Sequence, residues 1–249
     1  CIWKKETELN QKERRILMII CLSYSKGGVG KTTISANLVR VKNKKTGKRM
    51  DLFDLDSPQN GSYAVTLHAK DIGLTIIKTY KKSDGLSEAE VTARNGELID
   101  QIIEKYKGKP DENILIDCGG HDSNNIRKVL LEADMIITPL SVSDVELNDF
   151  MNGNESIIKT IVDLNPDAKL YVLFNKYHRY EKKDFAEIKD YIESEYPYYK
   201  VLSTCITDRK DYRTSFGKGK GVIDLYEKNP ARKEIEALSD EIYHLLEKK

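Results

Sequence analysis

The sequence predicts an α/β fold, a mostly parallel twisted sheet flanked by helices on both faces. Two observations carry that expectation. Apolar runs of strand length, at Ile16–Leu22, Met50–Asp56, Asn113–Gly120 and Leu170–Phe174, alternate with stretches of helical spacing. The first run empties into a glycine loop, Lys26-Gly27-Gly28-Val29-Gly30-Lys31-Thr32-Thr33, which opens a helix at Ile34–Val39. In such folds the ligand sits at the carboxyl ends of the strands.

The 249 residues suit one domain, expected over 16–249. Residues 1–15 read as a polar extension, and the functional start is expected near Met18. With 41 basic and 40 acidic side chains the net charge is +1, so nucleic-acid affinity has to come from a local patch. The cysteines (Cys1, Cys21, Cys118, Cys205) form no C-x-x-C pair. Metal clusters and a disulfide framework are therefore not expected, and a reducing cytoplasm is. The longest apolar run, Ile16–Leu22, is too short to span a bilayer.

Strand, glycine loop and helix in that order form the context of a phosphate-binding P-loop. Glycines let successive N–H groups turn toward one anion, and the new helix adds its positive dipole end. Lys31 supplies a cation for the β- and γ-phosphates of a nucleotide, and the Thr32 hydroxyl is a ligand for Mg²⁺. The ordinary G-x-x-x-x-G-K-[ST] pattern would put glycine at position 25. Here that residue is Ser25, and Lys26 adds a second lysine.

Beyond the loop, Arg40–Arg49 holds six cationic residues and reads as a solvated helix end and turn, with a DNA-facing patch as the minor alternative. Met50–Asp56 reads as a strand ending in carboxylates, broken by Ser57-Pro58-Gln59-Asn60-Gly61. Asp54 shares a strand face with Asp56. A strand is expected at Leu74–Lys78, a loop or short helix at Lys81–Gly96, and a helix at Glu97–Lys107. Asn113–Gly120 reads as a buried strand delivering Asp117 to a glycine turn, where it would hold a Mg²⁺-bound water and orient Thr32. His121 reads as an exposed loop residue. A helix is expected from Asp144 to Leu164, with a bend at Gly153. Then come a strand at Leu170–Phe174 and a terminal helix at Ala231–Lys248. The polar face of that last helix is as acidic as basic, so it reads as a packed helix rather than a membrane anchor.

The loop resembles the K-G-G-x-x-K-[ST] signature of the ParA/MinD family of deviant Walker ATPases. Asp54-Leu55-Asp56 and Pro58-Gln59 resemble the family's D-x-D-P-Q, with Ser57 as an insertion. His121–Arg127 and Ala133–Leu140 look like small plasmid-type ParA proteins. Ile206–Val222 resembles the family's I-x-x-R-x-x-(Y/F)…G-x-x-V segment.

The resemblance implies a deviant Walker P-loop NTPase that forms an ATP-sandwich homodimer, with Lys26 reaching the phosphates of the other subunit. Asp56 would orient the attacking water, a role suited to an acid near the γ-phosphate. Asn175 would contact adenine. Arg209, Lys210, Arg213, Lys218 and Lys220, against Asp208 and Asp211, give a local +3 that could bind DNA, although a solvated loop explains the same charges.

The expected function is a partition ATPase using ATP and Mg²⁺, cytoplasmic and nucleoid-associated when ATP-bound. It would bind non-specific DNA and be stimulated by a ParB-like centromere-binding partner, with no membrane contact. The alternatives are a MinD-like spatial regulator on a membrane or polar scaffold, and an ATP-gated assembly protein for conjugation or secretion.

Overall fold

A computed structural model describes residues 18–24, 26–46, 50–55, 76–80, 84–106, 113–119, 124–141, 150, 155–178 and 182–247. Its strands are β1 (Met18–Leu22), β2 (Met50–Asp54), β3 (Ile76–Lys78), β4 (Asn113–Asp117), β5 (Met135–Leu140), β6 (Lys169–Tyr177), β7 (Tyr199–Val201) and the two-residue β8 (Ile206–Thr207). They pair in the order β3-β2-β4-β1-β5-β6-β7, with β8 added to β6. All of these pairings are parallel. The chain leaves β1 toward one edge through β2 and β3, then turns back through β4, beside β1, and on through β5, β6 and β7 toward the other. The crevice opened by that reversal is where this architecture binds ligands.

The helices are α1 (Lys31–Thr46), α2 (Glu88–Tyr106), α3 (Asn124–Leu131), α4 (Glu155–Leu164), α5 (Lys182–Glu195), α6 (Lys210–Gly217) and α7 (Pro230–Glu247). Alternation along each strand divides the core between the two faces of the sheet. Ile19, Cys21, Ile114 and Ile116 pack with Ile99, Ile102 and Tyr106 of α2 and with Ile126 and Val129 of α3. Ile20, Leu22, Leu52 and Leu115 pack with Ile34 and Leu38 of α1 and with Ile235, Leu238 and Ile242 of α7. Burial of one such side chain contributes about 1.5–3 kcal/mol, so both helical layers are needed to hold the sheet.

Most expected elements are present, with shifted ends. The strand expected over Leu74–Lys78 is described at Ile76–Lys78, and the one expected over Leu170–Phe174 runs over Lys169–Tyr177. Of the stretch expected as a loop or short helix, the described residues 84–96 differ more, because helix α2 begins at Glu88 rather than Glu97. Its start is a reciprocal cap: Glu90 donates its N–H to Ser87 Oγ at 3.3 Å, and Ser87 donates its N–H to Glu90 Oε2 at 2.9 Å. Residues 1–15, Asp56, the loop 57–61, His121 and the Gly153 bend lie outside the described residues.

The basic segment, whose residues 40–46 form the last turns of α1, requires a correction at Arg40. Arg40 is 2% exposed, and its Nε donates to Asp224 Oδ2 at 2.6 Å. Lys44 joins the same carboxylate, Lys45 pairs with Asp240 at 3.0 Å, and the Lys42 ammonium lies 3.3 Å from the Tyr243 ring centroid. These cations fasten α1 to the 3₁₀ turn Val222–Asp224 and to α7. Solvation and DNA are both the wrong explanation for Arg40. Among the described helices, none is long and apolar enough to cross a membrane.

Candidate nucleotide-binding site

The glycine loop lies at the carboxyl end of β1, and α1 begins at Lys31. Gly28 and Gly30 have φ of +77° and +92°, a region that costs an L side chain roughly 1–2 kcal/mol. The Lys31 side chain is buried, and its Nζ donates to the carbonyls of Tyr24 at 3.1 Å and Lys26 at 3.0 Å. The loop is thus closed around its own cation. Lys26 is half-buried, Gly27 and Gly28 are exposed, Val29 is buried, and Thr32 and Thr33 are partly exposed on the first turn of α1.

The acids arrive through strand register. Asp117 is aligned with Leu22 of β1 on one side and with Asp54 of β2 on the other. Leu22 faces α1, as do Leu52 and Leu115, each two residues before one of the acids. Period-two alternation places Asp54 and Asp117 on that same face. Both are buried, and the backbone is held by the Leu55 N–H to the Asp117 carbonyl at 3.0 Å. Two buried carboxylates on the sheet face that packs against the P-loop helix are oxygen donors suited to a hard divalent cation. The donor set fits a Mg²⁺-nucleotide: glycine-loop N–H groups and Lys31 for phosphate, and Thr32 with Asp117 for the metal or its water. Asp56, the expected water-orienting acid, lies outside the described residues. Among the described residues no group of His, Cys, Asp and Glu forms a separate metal cluster.

Asn175, at the end of β6, meets the glycine loop itself. Its Nδ2 donates to the Val29 carbonyl at 2.6 Å. A Cβ at Gly30 would lie 2.4 Å from that nitrogen, so Gly30 is required by approach as well as by φ. Next to it, Lys176 donates its ammonium to the Gly28 carbonyl at 2.7 Å. Sequence reasoning passed over Lys176. The strand boundary hid it, because nothing local marks a lysine that will turn.

Other features link α1 to the end of the chain. Asn37 donates to the Thr33 carbonyl at 2.7 Å and accepts the Val222 N–H at 2.8 Å. A Cβ at Gly221 would meet Arg40 Cδ at 2.8 Å. Cys21 and Cys118, far apart in the chain, are neighbours in the fold: both are buried, and burial with the adjacent Cys118 side chain pushes the Cys21 thiol well up.

The five candidate DNA-binding cations do not form one set. Arg209 is partly buried and bound to Glu234 through Nε at 2.9 Å and Nη2 at 2.8 Å. Glu234 also accepts from the Thr207 N–H at 3.3 Å, so this arginine belongs to a network holding β8 to α7. Arg213 is exposed beside Asp208 at 3.2 Å, and Lys210, Lys218 and Lys220 are exposed on α6 and the turn after it.

A family model described as ATPase MipZ matches residues 18–155, more than half of the chain. No curated protein matches. Among solved structures, the chain is similar to a plasmid partition protein from Borrelia burgdorferi (16% identity, 92% of this chain and 98% of that one, TM-score 0.63). It is also similar to the MinD cell division protein of Aquifex aeolicus (16% identity, 91% and 97%, TM-score 0.65). A third is a Cyanothece McdA variant in complex with ATP (16% identity, 91% and 96%, TM-score 0.68). At such identity these likenesses speak for the fold alone. The family match covers the strand–glycine loop–helix unit, both buried acids and the sheet between them, and the chain belongs to the MipZ family of ATPases, of ParA/MinD type.

Proposed function

We propose that the protein is a partition ATPase that positions DNA. The observation that carries this reading is the closed glycine loop with two lysines, Lys26 and Lys31, at the carboxyl end of β1, together with the buried pair Asp54 and Asp117 at the ends of β2 and β4. Lys31 and the loop amides bind the phosphates of ATP, Thr32 and Asp117 hold Mg²⁺ and its water, and Asp56 orients the attacking water. The remaining capacity of the Asn175 amide serves the adenine. Lys26 acts across an ATP-bridged homodimer. The bound metal supplies charge neutralisation at the phosphates, while the chain supplies orientation and exclusion of water. Hydrolysis is slow alone and is stimulated by a ParB-like partner.

In the ATP-bound dimer the exposed cations Lys210, Arg213, Lys218 and Lys220 meet backbone phosphates without reading bases. The test is binding to arbitrary duplex DNA with ATP, with ADP and without nucleotide, across a salt series. ATP-dependent binding that weakens steeply with salt is expected. ATP binding without DNA binding in any state would overturn the partition reading and favour a MinD-like regulator.

A further inference from the structure

Lys176 has φ +56°, the one positive value at a non-glycine among the described residues. A left-handed lysine within a strand is strained, and such outliers collect where geometry serves function. Here the strain coincides with a break in pairing. Asn175 pairs with Ile206 and Tyr177 with Thr207, so two steps along β6 match one along β8. This is the arithmetic of a bulge, a device that re-aims a side chain next to a site.

The consequence is visible in the partners. In a regular strand, residues 175 and 176 would point to opposite faces of the sheet. Instead both reach the glycine loop, Asn175 Nδ2 at the Val29 carbonyl (2.6 Å) and Lys176 Nζ at the Gly28 carbonyl (2.7 Å). Two consecutive residues of β6 thus hold two consecutive carbonyls of the loop. Each peptide whose carbonyl is held has its orientation set, and with it the direction of the N–H on the following residue. Gly28 is the exposed tip of the loop, with no Cβ to limit its torsions.

We propose that Lys176 is a positioning residue for nucleotide binding: its ammonium fixes the Gly28 peptide, so that the loop amides are ordered before phosphate arrives. The proposal rests on the nucleotide-site reading above. It acts through the loop and not on the phosphate, so ADP and ATP depend on it equally. Preorganisation of this kind lowers the ordering cost of binding.

Lys176→Gly isolates the ammonium, because glycine accepts φ +56° without strain and the lysine side chain is exposed. Calorimetric titration with MgADP and with the Mg²⁺ complex of AMPPNP, a non-hydrolysable ATP analogue, is the measurement. Lys176→Gly should weaken both by about 5- to 10-fold, with a urea midpoint equal to or above wild type. Lys176→Arg, which keeps a cationic donor, should recover most of the loss. Equal affinities in wild type and Lys176→Gly would overturn the proposal while leaving the site reading intact. Loss confined to AMPPNP would also overturn it, making Lys176 a direct ligand of the third phosphate or of a second subunit. Wild-type protein that binds neither nucleotide would refute the site reading, and this proposal with it.

Discussion

Arg40 on the P-loop helix and Asp224 near the other end of the chain form a largely buried ion pair, Nε to Oδ2 at 2.6 Å. Lys44 and the Gly221 N–H, at 3.0 Å, complete the carboxylate's shell. The helix that bears Lys31 is therefore anchored by a turn far along the chain. Removing one partner leaves a buried guanidinium without its counter-charge, which is strongly destabilising. Asp224→Asn should lower unfolding stability by about 2–3 kcal/mol, read by urea denaturation without nucleotide.

The pH dependence of that loss has a definite sign. Burial alone would raise the Asp224 carboxyl, but the bonds from Lys44, Arg40 and the Gly221 N–H outweigh it and hold the group below its ordinary value. The stabilisation is then fully present above the unfolded value, near 3.9. It is lost as pH falls through the lower folded value. The stability gap between wild type and Asp224→Asn should be constant from about pH 7 to 5 and close below about pH 4. A gap that widens in acid would show that the carboxylate is not the stabilised form.

Gly30 and Gly27 differ although they share a loop. Gly30 has φ +92° and would bring a Cβ to 2.4 Å from Asn175 Nδ2, whereas Gly27 would meet nothing within 4 Å. Gly30→Ala should cost about 2 kcal/mol in the nucleotide-free protein, and Gly27→Ala less than about 0.5 kcal/mol. Urea denaturation of the pair decides it, and equal losses would contradict the Asn175 contact.

The candidate DNA cations can be separated by salt. Arg213→Ala or Lys218→Ala should each reduce the slope of log affinity against log salt by about 1. Arg209→Ala should instead lower stability and leave the slope unchanged, since its charge is committed to Glu234. If Arg209→Ala alone changed the slope, the exposed set would be misassigned.

Burial and the nearby carboxylates Glu241 and Glu234 push the Cys205 thiol up to about 12, and Cys21 is also raised by burial. Neither thiolate is populated at pH 8, so both should resist alkylation in the folded protein and react promptly in urea. Fast labelling of Cys205 in native protein would contradict its environment.

What was legible in the sequence is local. The P-loop, the strand delivering Asp117 and the terminal helix show in short patterns, since glycine φ, apolar runs and helical spacing are properties of neighbours. The start of α2 was legible and missed: Ser87 and Glu90 carry the capping-box spacing, which the unpatterned stretch around them obscured. The roles of Arg40 and Lys176 were not legible. Arg40 reads as a solvated cation until the fold brings Asp224 to it, and Lys176 reads as a strand end until the pairing with β8 shows the bulge. Asn175 was singled out for the base, and the fold also sets it on the loop backbone.

The most direct measurement is calorimetric titration of wild-type protein and Lys31→Ala with Mg-AMPPNP. Lys31 is the buried cation at the centre of the loop, and losing a charge-assisted phosphate contact there should weaken binding by at least ~100-fold. Tight binding by wild type that collapses in Lys31→Ala is the predicted result. Equal affinity in both proteins would contradict the assignment of this loop as the nucleotide site.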